Sequence, residues 1–113
     1  MELLYNDDNI IIKIDRSKKL LAYEWKRFIP EDAYRKALEI VYDTICDHDV
    51  EKCLIDMRKL SVIPRGAQEW MQNTWFPLVE AQGVKNFAIV GVPPTIRMHY
   101  LLYIEQQDLI ERN

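Results

Sequence analysis

Apolar and polar positions alternate twice near the start of the chain. Ile10, Ile12 and Ile14 are spaced two apart, and after a break at Arg16 to Lys19 the alternation resumes through Leu21, Tyr23 and Trp25, set against Ala22, Glu24 and Lys26. A period of two puts each set on one face of a pleated strand, and the short polar break fits a turn, so a β-hairpin is predicted. The β-branched and aromatic content supports strands, because such side chains pack well on a pleated surface.

The period changes at Pro30, which suits a helix start because its missing N–H costs nothing there. Glu31 and Asp32 follow, where a helix dipole favours negative charge. Tyr34, Ala37, Leu38, Val41 and Ile45 then recur at helical spacing, and the polar run Asp47 to Asp49 ends the element. Cys53, Leu54 and Ile55 form a short apolar run closing on Asp56, the pattern of a central strand covered on both faces. A second helix is predicted from Pro64 through Trp70, Met71, Thr74, Trp75 and Leu78 towards Gly83, kinked or shortened by Pro77. Phe87 to Val92 reads as a further buried strand. Pro93-Pro94 redirects the chain into a last helical segment with Ile96, Tyr100, Leu101, Tyr103, Ile104 and Ile110.

The predicted order is β-β-α-β-α-β-α. Its economical form is an α/β domain with a mixed four-stranded sheet, an N-terminal hairpin and about three helices. A length of 113 residues suits one domain over residues 1–113. A net charge of −3 supplies no long-range attraction for a polyanion, so nucleic acid is not an expected partner. No apolar run is long enough to span a bilayer, and Met1 to Asn9 lacks the pattern of a secretory signal, so a cytoplasmic location is expected. Cys46 and Cys53 suit free thiols better than a disulfide framework.

Three stretches carry a family resemblance: Cys-Leu-Ile-Asp-Met-Arg-Lys-Leu at 53–60, Trp70 and Trp75 in the helix that comes next, and Asn-Phe-Ala-Ile-Val at 86–90. Together with the element order they resemble the STAS domain of bacterial anti-sigma-factor antagonists, in a divergent branch. The resemblance implies a non-catalytic regulatory module that binds a protein partner. In that family a serine or threonine at the start of the helix after this strand is phosphorylated to switch binding. Here the stretch is Val62-Ile63-Pro64-Arg65-Gly66, without a hydroxyl, so a phosphoswitch is not expected.

Asp56, Arg58, Lys59, Ser61 and Arg65 are expected to gather at the carboxyl end of a strand, where open α/β sheets place binding crevices. The start of the second helix would face the same loop and could hold an anion or an acidic partner segment; the alternative is that Asp56 pairs with Arg58 and the rest is solvated. Ser61 reads as a turn serine or as a hydroxyl whose phosphate could reach Arg58, Lys59 or Arg65. Trp70 and Trp75 point about 140° apart on an ideal helix, so they cannot share a narrow core stripe, and one is a candidate partner anchor.

Cys46, His48 and Cys53 lack a fourth zinc ligand at a recognised spacing, and three glycines in the chain cannot build a nucleotide-binding loop. No metal, cofactor or catalytic constellation is expected. The second functional reading is a small-molecule domain holding an anionic or lipid-like ligand between helices and sheet, with the tryptophans lining the pocket. The last helical segment has an apolar arc wide enough either for a homodimer contact or for docking on its own sheet. The short stretch after it is expected to leave a sheet edge or helix face free for self-association.

Overall fold

A computed structural model of the chain describes residues 1–60 and 63–91. Its sheet has five strands rather than the expected four: β1 (Glu2–Asn6), β2 (Ile10–Asp15), β3 (Leu20–Trp25), β4 (Lys52–Asp56) and β5 (Asn86–Val90). The strand missed in the sequence is β1. A register shift between Leu3 and Tyr5 breaks its pairing with β2, and Leu4 and Tyr5, adjacent in sequence, both pack against the core. A bulge of this kind erases the simple alternation that marks a strand.

The predicted hairpin pairs Ile10 with Trp25, Ile12 with Tyr23 and Ile14 with Leu21. Helix α1 (Glu31–Asp47) comes next, with Pro30 as the residue flanking its start, and it buries Tyr34, Ala37, Leu38, Val41 and Ile45 as the spacing predicts. β4 joins β3 in parallel and β5 joins β4 in parallel, so the sheet is mixed and its strands lie side by side in chain order.

The second helical stretch has three parts: α2 (Arg65–Trp70), a π-helical turn (Met71–Trp75) and α3 (Phe76–Ala81). The Phe76 N–H donates to Met71 O, five residues back, at the wide turn. Pro77 therefore falls in the first turn of a fresh α segment, where no N–H is required of it. Gly83, at φ +103, comes after the end of α3 as expected. The predicted last helix, with Ile96 to Ile110, lies outside the described residues.

Two parallel crossovers that step the same way along a sheet, each right-handed, place both helices on one face. The packing agrees. Trp75 Nε1 donates to Leu38 O at 2.9 Å and Tyr34 Oη reaches Met71 Sδ at 3.4 Å, which ties the second helical stretch to α1. Trp25 stacks on Tyr34 with ring centroids 4.4 Å apart, while Trp75 meets Tyr23 edge-on at 6.2 Å and Phe76 meets Phe87 at 5.1 Å.

The core thus lies between one sheet face and the helices. Cys53 and Ile55 point into it, whereas Leu54 between them is only half-buried. Among the described residues β4 is covered on one face, not both as its apolar run suggests. No helix among the described residues is long and apolar enough to cross a membrane.

Candidate functional site

The strand β4 delivers Asp56 to its carboxyl end, level with Glu24 of β3 and Val90 of β5. The next peptide continues the ladder, because the Met57 N–H donates to Val90 O at 2.8 Å while the Met57 side chain is buried. The Leu60 N–H then donates to Met57 O at 3.0 Å, closing a turn with Arg58 and Lys59 at its exposed tip.

Asp56 accepts four hydrogen bonds across that turn. The Arg58 backbone N–H reaches Oδ1 at 3.1 Å, Arg58 Nε lies 3.1 Å from Oδ1 and 3.2 Å from Oδ2, and Nη2 lies 2.7 Å from Oδ2. A guanidinium meeting a carboxylate through two of its nitrogens is orientationally specific as well as charge-assisted. The Asp56 side chain is 19% exposed and that of Arg58 66%, so the pair stands at the surface with its carboxylate turned inward. The Arg58 hydrogen bonds hold the Asp56 carboxyl below its ordinary range, against the opposing effect of burial. Lys59 extends to Glu24, with Nζ 3.5 Å from Oε1.

Gly91 supports the turn from the neighbouring strand. Its φ is +72, and a Cβ there would fall 2.9 Å from Arg58 Cα and 3.0 Å from Arg58 N. Only a glycine lets the end of β5 approach Arg58 so closely. Neither Gly91 nor Glu24 was among the residues expected at this site. The spacing places Gly91 inside the predicted strand Phe87 to Val92, whereas β5 ends at Val90 and Gly91 stands just beyond it.

Of the expected site residues, Asp56, Arg58 and Lys59 come together, and Ser61 lies outside the described residues. Arg65 stands apart from their hydrogen-bond network and pairs one helical turn along, its Nε 3.3 Å from Glu69 Oε1. Trp70 is half-buried with the Arg35 guanidinium 5.4 Å from its ring centroid, and Arg35 also reaches Glu31 and Gly66 O. Trp75 is 1% exposed, and its ring belongs to the core rather than to a contact surface. Met71, Trp75 and Val79, spaced four apart, share the buried side of this stretch.

Two features of the expected site change. A crevice at strand carboxyl ends forms where strand order reverses, and the chain-order sheet has no such reversal. The cations at the turn are also committed: Arg58 to Asp56, Lys59 to Glu24 and Arg65 to Glu69. Among the described residues this surface is one of paired charges.

Cys46 and Cys53 are both free, Cys46 exposed and Cys53 buried. Burial pushes the Cys53 thiol up to about 12, so it is protonated and unreactive at neutral pH. His48 Nδ1 lies 2.8 Å from Thr44 O at the end of α1. No three His, Cys, Asp or Glu side chains among the described residues are grouped to hold a metal ion. The interface between helices and sheet, where a small ligand was the alternative expectation, is occupied by Trp25, Tyr34 and Trp75. Among the described residues, two shallow depressions lie along the opposite face of the sheet, one lined by residues that include Ile11, Lys13, Ala22, Glu24, Leu54 and Asp56, the other by residues that include Leu20, Lys52, Leu54 and Ala88.

In comparison with known proteins, no family model matches the chain, and no curated protein does.

Proposed function

We propose that this chain is a STAS-like, non-catalytic protein-interaction module of a regulatory kind, and that its contact surface is the turn after β4. Asp56, Arg58 and Lys59 form the centre of that surface, with Arg65 and the half-buried ring of Trp70 as outlying contacts. A phosphoswitch is not part of the reading, because positions 62–66 offer no hydroxyl.

The observation that carries the proposal is an exposed turn whose side chains are held by several contacts at once. Arg58 is held by its fork to Asp56, by the Met57–Val90 hydrogen bond beneath it and by the close approach of Gly91. Ordered side chains on a rigid scaffold lose little entropy on binding, which suits recognition. Since the charges of the turn are already matched, the partner that fits is a protein surface of mixed sign, able to add hydrogen bonds to both members of each pair.

Affinity capture from the source organism, followed by mass spectrometry, tests the reading. The unaltered chain should retain a reproducible partner that Arg58→Ala and Lys59→Ala each weaken at least tenfold, while Arg16→Ala, in the turn between β2 and β3, leaves it bound. Equal capture by all the variants, each shown to be folded by its denaturation midpoint, would overturn the assignment.

A further inference from the structure

The open face of the sheet is the part of the described molecule whose chemistry least suits contact with water. On it β2, β3, β4 and β5 align Lys13, Ala22, Leu54 and Ala88 in one row and Ile11, Glu24, Asp56 and Val90 in the next. Ala88 and Val90 are exposed, Ile11, Ala22 and Leu54 partly so, and both shallow depressions lie here. An antiparallel sheet tolerates one wet face, but parallel strands occur almost only with both faces covered. Here β3, β4 and β5 are parallel and their open side is lined along its middle by Ala22, Leu54 and Ala88, side chains without a polar group.

Neither α1 nor the second helical stretch can provide this cover. Two helices side by side span about 20 Å at an interaxial spacing of 8–10 Å. Five strands about 4.8 Å apart span roughly the same width, so the other face is already filled. The segment after β5 has the length and the pattern needed. Residues 92–113 begin directly beyond Gly91, whose left-handed φ lets the chain turn away from the strand direction. The apolar arc predicted for Ile96, Tyr100, Leu101, Tyr103 and Ile104 needs an apolar surface to pack on. A helix over 95–110 would be about 24 Å long at 1.5 Å per residue, enough to cross all five strands.

We propose that the open face is the docking surface for residues 92–113 of the same chain, which lay the Ile96–Tyr100–Tyr103 side across Ala22, Leu54 and Ala88. Attachment directly after β5 sets the effective concentration on the order of millimolar, which favours the chain's own segment over that of a second copy. The cover is separate from the contact turn after β4, although it reaches the row that contains Asp56.

Thiol labelling of the full-length chain tests this, with Cys46→Ser removing the exposed native cysteine. Ala88→Cys, exposed on the described structure, should react with a maleimide at least tenfold more slowly than Ser17→Cys in the turn between β2 and β3. Adding Tyr100→Asp and Ile104→Asp should restore its reaction to within about twofold of Ser17→Cys. Cys53, on the helix-covered face, should stay unlabelled throughout, which separates local uncovering from unfolding. Equal rates for Ala88→Cys and Ser17→Cys in the chain without the aspartates would overturn the proposal, and that measurement needs no disruptive variant. Protection that weakens on dilution would overturn it too, by assigning the cover to a second copy.

Discussion

On the covered face of the sheet Ile12, Tyr23 and Ile55 lie side by side, none more than 2% exposed, under the side chains of the two helical stretches. One residue further along each of the same strands, Lys13, Glu24 and Asp56 emerge on the other face, where Glu24 and Asp56 pair with the cations of the next turn. The backbone is common to both faces, so the difference comes from side-chain parity and from topology. Crossovers that step the same way send α1 and the second helical stretch to one side, which covers that face of the sheet. The other face is left to salt bridges, small side chains and whatever the rest of the chain supplies. One face holds the core, and at its carboxyl end the other carries the charged residues of the proposed contact turn.

The largest effect expected from a single change is on the covered face. Trp75→Ala removes a side chain that bonds Leu38 O and meets the rings of Tyr23 and Phe76. Deletion of a buried tryptophan costs about 3–5 kcal/mol, a large part of the stability of a domain this size. Urea denaturation should show it. A loss below about 1 kcal/mol would mean that the helices are not held to the sheet through this ring.

Next in size is the junction between the two faces at Gly91. Gly91→Ala places a Cβ against the Arg58 backbone and forces alanine into φ +72, so a loss of about 1–3 kcal/mol is expected. Because the clash falls on Arg58, the substitution should also loosen the Asp56–Arg58 fork. Arg58 Nε–H exchange, followed by NMR, should therefore quicken together with the fall in stability; a fall in stability with unchanged exchange would detach Gly91 from the contact turn.

This junction also marks the limit of what the pattern of residues reveals. The hairpin, α1 and β4 were legible because their apolar spacing is local, and Asp56-Met57-Arg58 reads as a charged strand end for the same reason. Gly91 lies far from Arg58 in sequence, and nothing but the β4–β5 register brings them together. β1 was hidden by its bulge. The apolar run at Cys53 to Ile55 suggested cover on both faces because periodicity cannot distinguish a covered Leu54 from one on an open face. An ideal helix turns Trp75 about 140° from Trp70, so the spacing shows that the two cannot share a narrow stripe without saying which of them enters the core.

Acid should act through carboxyls that the fold holds below their ordinary range, and beside the exposed Glu2 and Asp15 these include the partly buried Asp7 and Asp56. Burial raises Asp7, but hydrogen bonds from Tyr5 Oη and from the N–H groups of Asn9 and Ile10 outweigh it; Asp56 is lowered chiefly by Arg58. In the folded chain both bind a proton less readily than in the unfolded chain, where the value is about 3.9. Their contribution is therefore complete above that value and is lost as pH falls through the lower folded values. Denaturation midpoints taken from pH 6 down to pH 2 should decline over this range, and Asp7→Asn and Asp56→Asn should each flatten the decline. An unchanged slope in Asp56→Asn would show that the fork to Arg58 is open in solution.

The smallest expected effect separates stability from recognition. Arg65 has a side chain 93% exposed and pairs only with Glu69 across one helical turn. Such a pair is worth about 0.3 kcal/mol and is screened by salt, so Arg65→Ala should leave the denaturation midpoint essentially unmoved. Any loss of a captured partner in that variant then reports contact at Arg65 itself. The same inference is weaker for Arg58→Ala, which unpairs Asp56 and disturbs the turn it supports. If Arg58→Ala abolishes binding and Arg65→Ala does not, the contact surface ends at the turn, and the start of the second helix is only its neighbour. If both weaken binding alike, the surface spans the β4 turn and α2.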